Sequence, residues 1–283
     1  MIRTLQTLAA ALSLALSAGA AIAHEYWVLP AQFHPDNNAV LTFHLQVGDG
    51  FPGESRPRDP TKLERFFIEG PGGRADIGGI DGRDPAGMTR LRDVGVHVAA
   101  YEGKPTVITL EAEKFNAYLK EVGLDHIVKD RADRGETAKE GSEAFQRCAK
   151  TVICVEKTNA AEVWKKALGL KVEFVPQSDI YAHAAGDEIQ FLLLSDGKPM
   201  PDTLVRATNA AAPQEWLKVR TDANGLVNFK FETAGTWLIN SIRMERRPDG
   251  SETDWLSTWS SLTFELAPAP AAPTPPPAPA ATP

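Results

Sequence analysis

The stretch VLTFHLQV, residues 40–47, sets Leu41, Phe43, Leu45 and Val47 on one side of an alternating pattern, which predicts a half-buried strand ending at the turn GDGFPG. RFFIEGPGG (65–73), VGVHVAAYEG (94–103) and PTVITLEAE (105–113) repeat the pattern, each bounded by Gly or Pro. Between Glu111 and Gln146 the period changes. Phe115, Tyr118, Leu119 and Val122 recur at helical spacing and stop at Gly123, which predicts a helix and its C-terminal signal. The mostly charged LDHIVKDRADRGETAKEGSEAFQ continues as helix or loop, and AKTVICVEK and LKVEFVPQ return to strands. From residue 177 onward about six or seven short strands follow, with turns at SDGKP, DANG and TAG, where DANG offers the Asn and Gly that a hairpin needs. The expected fold is mainly β: two antiparallel β-sandwich domains, 24–176 with a helical insertion at about 111–146, and 177–266.

The two ends differ from this pattern. Residues 1–23 carry a short basic start, an apolar run and small residues at Ala21 and Ala23, the layout of a cleavable secretory signal. Removing it leaves 260 residues, about one to two domains, and changes the net charge from −7 to −8. That balance argues against nucleic acid as a partner, and no second apolar stretch is long enough to span a membrane. The protein is expected in the periplasm or secreted. Residues 267–283 hold eight prolines and no large apolar side chain, which predicts a disordered Pro/Ala-rich tail. In an oxidising compartment Cys148 and Cys154 are most simply a disulfide, unless both lie on one straight strand, where they would be too far apart.

Cleavage after Ala23 would make His24 the first residue, offering its imidazole and a free α-amino group. The words HEYWVLP, RDPTKLERFFIEGP, DGRDPAG, GVHVAAYEG, EKFNAYLKEVGLD, RCAKT, TDANGLVNFKFETAGTWLI and DWLSTWSSLTFEL resemble the DUF4198 family of secreted bacterial proteins. The resemblance runs from about His24 to Leu266. It implies a relation to periplasmic nickel or cobalt uptake components, and its C-terminal unit is similar to transthyretin-like or carboxypeptidase-regulatory-like sandwiches. Those uptake components hold nickel with an N-terminal amine, a nearby histidine and a remote one. The analogy reaches His24 and one unidentified partner.

A terminal histidine can chelate through its α-amino nitrogen and Nδ1, and the α-amino group, with a pKa of roughly 8, gives up its proton readily. A third nitrogen would complete a T-shaped or square set suited to Cu(II) or Ni(II); with the cobalt that the resemblance implies, the expected ion is Ni(II), Co(II) or Cu(II). The preferred third ligand is His97, on a predicted strand, followed by His44; His183, His34 and His126 read as loop or surface residues. Glu25 is a candidate axial or second-layer oxygen. Trp27, Trp255 and Trp259 read as packing anchors, and DGRDPAG as a turn that lacks the carboxylate spacing of a calcium loop. No G-x-S-x-G, H-E-x-x-H or phosphate-cradling loop is present, so no enzymatic activity is expected. The leading expectation is a non-enzymatic periplasmic metal-binding protein, with an envelope metal transporter as partner. The alternatives are a metal-free envelope interaction module and, more remotely, a copper oxidase using the same chelate.

Overall fold

The computed structural model describes residues 24–158 and 161–270; the expected signal at 1–23 and all but the first four residues of the expected tail lie outside them. The first strands are β1 (Glu25–Pro30), β2 (Val40–Gly48), β3 (Glu54–Arg56), β4 (Leu63–Gly70), β5 (Gly73–Asp76), β6 (Gly87–Arg90), β7 (Gly95–Gly103) and β8 (Thr106–Leu110). Helices α1 (Ala112–Glu121) and α2 (Asp125–Asp133) follow, then the long strand β9 (Gly141–Val155) and β10 (Val172–Pro176). The remainder is β11 (Glu188–Ser195), β12 (Lys198–Pro199), β13 (Leu204–Asn209), β14 (Ala212–Arg220), β15 (Leu226–Lys230), β16 (Gly235–Arg246) and β17 (Trp255–Leu266). The protein is mainly β and sandwich-like, as its alternating pattern predicts.

Three sheets form three layers. The middle sheet has the order β14-β13-β16-β17-β9-β7-β4-β5, with β8 added alongside β9. One outer sheet contains β1, β2, β3 and β6; the other contains β10, β11, β12 and β15. All nine residues of β7 are buried, the mark of a strand covered on both faces. Val96, Val98 and Ala100 enter one core with Phe174, Phe191 and Leu193, while Ala99 and Tyr101 enter the other with Val28 and Phe43. The two sandwiches therefore share their middle sheet. β10, expected to close the first unit, pairs with β11 of the second. Strands from the two halves also meet directly, because β9 runs parallel to β17 from Glu143↔Trp255 to Thr151↔Thr263. Every other strand pairing among the described residues is antiparallel.

Two local expectations need correction. The helical insertion ends at Asp133, short of residue 146, because Gly141–Gln146 pair with β8 and β17 as the first part of β9. The DANG turn does bend the chain, with Gly225 at φ +75°, but it joins strands of different sheets rather than a hairpin. Turn chemistry sets the reversal; it does not choose the partner strand. A Cβ on Gly225 would lie 2.9 Å from Met200 N and 3.0 Å from Leu193 O, so the close approach also requires glycine.

Cys148 and Cys154 are both free thiols. They stand six residues apart on β9, a separation of about 20 Å along a strand, far beyond disulfide reach. Burial pushes their thiols up to about 12 and about 11 respectively, so neither is an activated nucleophile. Alkylation of the denatured protein without reductant should add two labels by mass spectrometry. A mass unchanged by alkylation would contradict this arrangement.

The tryptophans are packing anchors, as expected: Trp27, Trp255 and Trp259 are all buried. Tyr118 of α1 stacks on Trp259 with ring centroids 5.8 Å apart and seats the helical pair on the middle sheet.

Candidate functional site

His24 sits one residue before β1, and Glu25 pairs with Gly48 at the end of β2, so His24 is held beside the β2 turn. That register places Asp49 against His24, with Asp49 Oδ1 2.7 Å from His24 Nδ1. The imidazole is about one-third exposed, at 36%, and the carboxylate largely open, at 80%. The strand behind this corner is firmly seated. Trp27 is fully buried, meets Phe51 edge-on at 5.5 Å, and lies so close to Gly53 that a Cβ there would come within 2.5 Å of its ring.

Alternation along β1 sends Glu25 to the other side of the strand. There it forms a buried ion pair with Arg206 of β13, whose Nε donates to Asn240 Oδ1 at 3.2 Å. Burial pushes the Glu25 carboxyl up to about 7, against the opposing pull of Arg206 and then Arg147. Arg206 also lies over the Trp216 ring at 4.8 Å. Glu25 lines a small cavity with Tyr118, Arg206 and Trp216, whereas His24 lines a different cleft with Tyr26 and Tyr101. Asp49 borders the first and bonds to the residue that borders the second.

The structure does not bring the other expected ligands to His24. His97 is buried on β7, with Nδ1 3.1 Å from Gly95 O and its ring against Gly70, where a Cβ would lie 2.4 Å away. Burial lowers its pKa. It lies about 13 Å along β7 from Tyr101 and lines a separate cavity with Gly70, Gly72 and Asp93. His44 is held by Asp84, with Nδ1 3.0 Å from both carboxylate oxygens. His34 pairs with Glu265 at 3.4 Å and meets Tyr181 edge-on at 5.0 Å. His183 contacts Ser178 Oγ at 2.8 Å through Nε2, and His126 is exposed on α2. Among the described residues, no group of three His, Cys, Asp or Glu side chains is arranged to hold a metal ion. What His24 does have is Asp49, which reads in the sequence only as part of the GDG turn. Its signal was the β1–β2 register, invisible without the pairing.

A family model described as "Domain of unknown function (DUF4198)" matches residues 21–245. No curated protein matches the chain. Among solved structures, the D0-D1 domain of intimin is similar at 12% identity, with 84% of this chain and 96% of that one covered and a TM-score of 0.20. The BSP domain of a biofilm-associated protein is similar at 9% identity over 87% of this chain and 30% of that one, with a TM-score of 0.20. Three N-terminal domains of the bacteriophage RB49 highly immunogenic outer capsid protein give 10% identity, 86% and 71% coverage, and a TM-score of 0.18.

Proposed function

The chain belongs to the DUF4198 family, and for this member we propose a non-enzymatic role in the periplasm, binding a transition-metal ion for uptake or delivery. Cleavage after Ala23 would free the α-amino group of His24, and that nitrogen and Nδ1 would form one chelate ring on the metal. The observation that supports this reading is Asp49 Oδ1, held 2.7 Å from His24 Nδ1. It offers a carboxylate oxygen beside the two nitrogens, in place of the remote imidazole expected from His97 or His44. Two nitrogens and one oxygen leave coordination positions for exchangeable ligands, which suits a carrier that must hand its cargo on. For such a donor set the affinity order is Co(II) below Ni(II) below Cu(II). Because both nitrogens must be deprotonated, affinity should fall as pH is lowered.

Calorimetric titration of the processed protein with Cu(II), Ni(II) and Co(II) tests the proposal. One variant carries an extra Gly ahead of His24, and another is Asp49→Asn. The extended chain is expected to lose tight binding, because its α-nitrogen becomes an amide. Asp49→Asn is expected to weaken binding about 10- to 100-fold. Tight binding that survives the extension, or none in the processed protein, would return the chain to the metal-free envelope module.

A further inference from the structure

The cleft beside His24 has a charge opposite to that of the protein as a whole. The chain carries a net charge of −7, yet Arg56, Lys62, Lys104 and Arg147 line this cleft against a single carboxylate, Asp59. Two of the cations are engaged: Arg56 with Glu54 at 3.2 Å and Lys62 with Asp59 at 3.7 Å. Arg147 is different. It projects from β9 and is partly buried, with its guanidinium carbon 4.7 Å from the Tyr26 ring centroid and 5.3 Å from that of Phe145. Among the described residues no carboxylate, carbonyl or hydroxyl accepts a hydrogen bond from it. Burial draws its pKa down, against the opposing pull of Tyr26 and then Glu25, which attracts it without a hydrogen bond. A guanidinium carries five donors, and in this cleft they remain open to a ligand.

Much of the remaining lining is apolar. Leu45, Val47 and Tyr101 form its wall, and its volume is about 440 Å³, within the range of small-molecule sites. Tyr26 and Tyr101 lie with ring centroids 5.3 Å apart and fix the floor behind the arginine. We propose that this cleft binds a small organic anion, a carboxylate with a flat apolar body, whose head group takes the free donors of Arg147. Arginine suits this task because its planar fork meets two carboxylate oxygens at once. Lys104, exposed at the rim, adds attraction for the incoming anion. The proposal stands apart from metal binding, although an anion seated here would also offset the positive charge that a divalent ion at His24 would face.

The test uses metal-free full-length mature chain carrying the extra N-terminal Gly, so that loss of the metal chelate and loss of anion binding are read separately. Benzoate is the probe, benzyl alcohol its neutral counterpart and inorganic phosphate the bare anion. Benzoate is expected to bind saturably by calorimetry and to shift the Arg147 Nε–Hε resonance, with benzyl alcohol and phosphate much weaker. Arg147→Met, which keeps the apolar stem, is expected to weaken benzoate about tenfold or more, with Arg147→Lys between the two. Absence of saturable benzoate binding, or an unmoved Arg147 resonance in the parent chain, would overturn the proposal even if Arg147→Met failed to fold. So would benzyl alcohol or phosphate binding as tightly as benzoate, or an Arg147→Met variant that binds it unchanged.

Discussion

Replacing Lys150 by alanine is expected to destabilise the fold by about 3–5 kcal/mol, read as a drop in urea stability at neutral pH. Lys150 lies in the middle of β9 with its side chain 1% exposed, and it points toward the outer sheet that contains β10. There its ammonium donates to Glu173 Oε2 at 3.0 Å and to Phe174 O at 2.7 Å. Glu173, equally buried, also accepts from the backbone N–H groups of Leu168 and Gly169, both at 2.8 Å. Burial lowers the Lys150 pKa while Glu173 opposes that fall, so the buried ammonium depends on its carboxylate partner. Removing the lysine leaves a carboxylate between two layers with neutral donors alone. Removing both charges as Lys150→Met with Glu173→Gln should cost distinctly less than Lys150→Ala, since an ion pair between layers is replaced by neutral groups of similar volume. A single-variant loss below about 1 kcal/mol would mean that the layers are not joined at this point.

Glu143 should make the protein less stable as pH rises. It sits near the start of β9 beneath the helices, accepting from Tyr118 Oη at 3.4 Å and from Ser257 Oγ. No cation pairs with it among the described residues. Burial outweighs those donors and pushes its carboxyl from an ordinary 4.5 up to about 7. The folded state therefore holds this proton more tightly than the unfolded chain does. Its contribution is fullest below about pH 4.5 and is lost as pH rises through 7, on the order of 3 kcal/mol at most. Glu25 carries the same sign, and buried His97, with its lowered pKa, acts in the opposite direction as pH falls. Glu143→Gln isolates the effect: it should raise urea stability by about 1–3 kcal/mol at pH 8 and change it little at pH 5. Equal shifts at both pH values would contradict a carboxyl that titrates near neutrality.

These two residues mark where sequence reading succeeds and where it stops. Alternation found the strands, because each face of a strand meets a different medium, and the helical spacing of Phe115, Tyr118 and Leu119 found α1. Long identifiable words were enough to reach the family. Period and composition do not encode which strand lies beside which. Lys150 and Glu173 lie in two separate stretches of sequence, and only the facing of β9 and β10 joins them. Arg206, 181 positions from Glu25, gave no sign that it would claim the residue next to His24. The same gap explains His97. Its stretch reads as a strand, but the face it occupies is covered by an outer sheet, and its position along β7 carries it away from His24. Nothing in the sequence distinguishes Arg147, because the lack of a hydrogen-bond partner arises from its placement in three dimensions.

The parallel pairing of β9 with β17 has a consequence for the order in which the fold can assemble. β17 is the last strand among the described residues, yet it occupies the centre of the middle sheet, between β16 and β9. It also receives the first strand, since Ser261 Oγ donates to Tyr26 O and Thr263 Oγ1 to Val28 O across 235 positions. A growing or threading chain cannot complete its middle layer until about residue 266 has emerged. Until then β9 and β16 each present an open edge, available to any other extended chain nearby. The segment matched by the family model stops at 245, ten residues before this strand begins. Such closure between distant segments favours slow folding. A chain with this topology therefore gains from an escort that covers those edges until its C-terminal strand arrives.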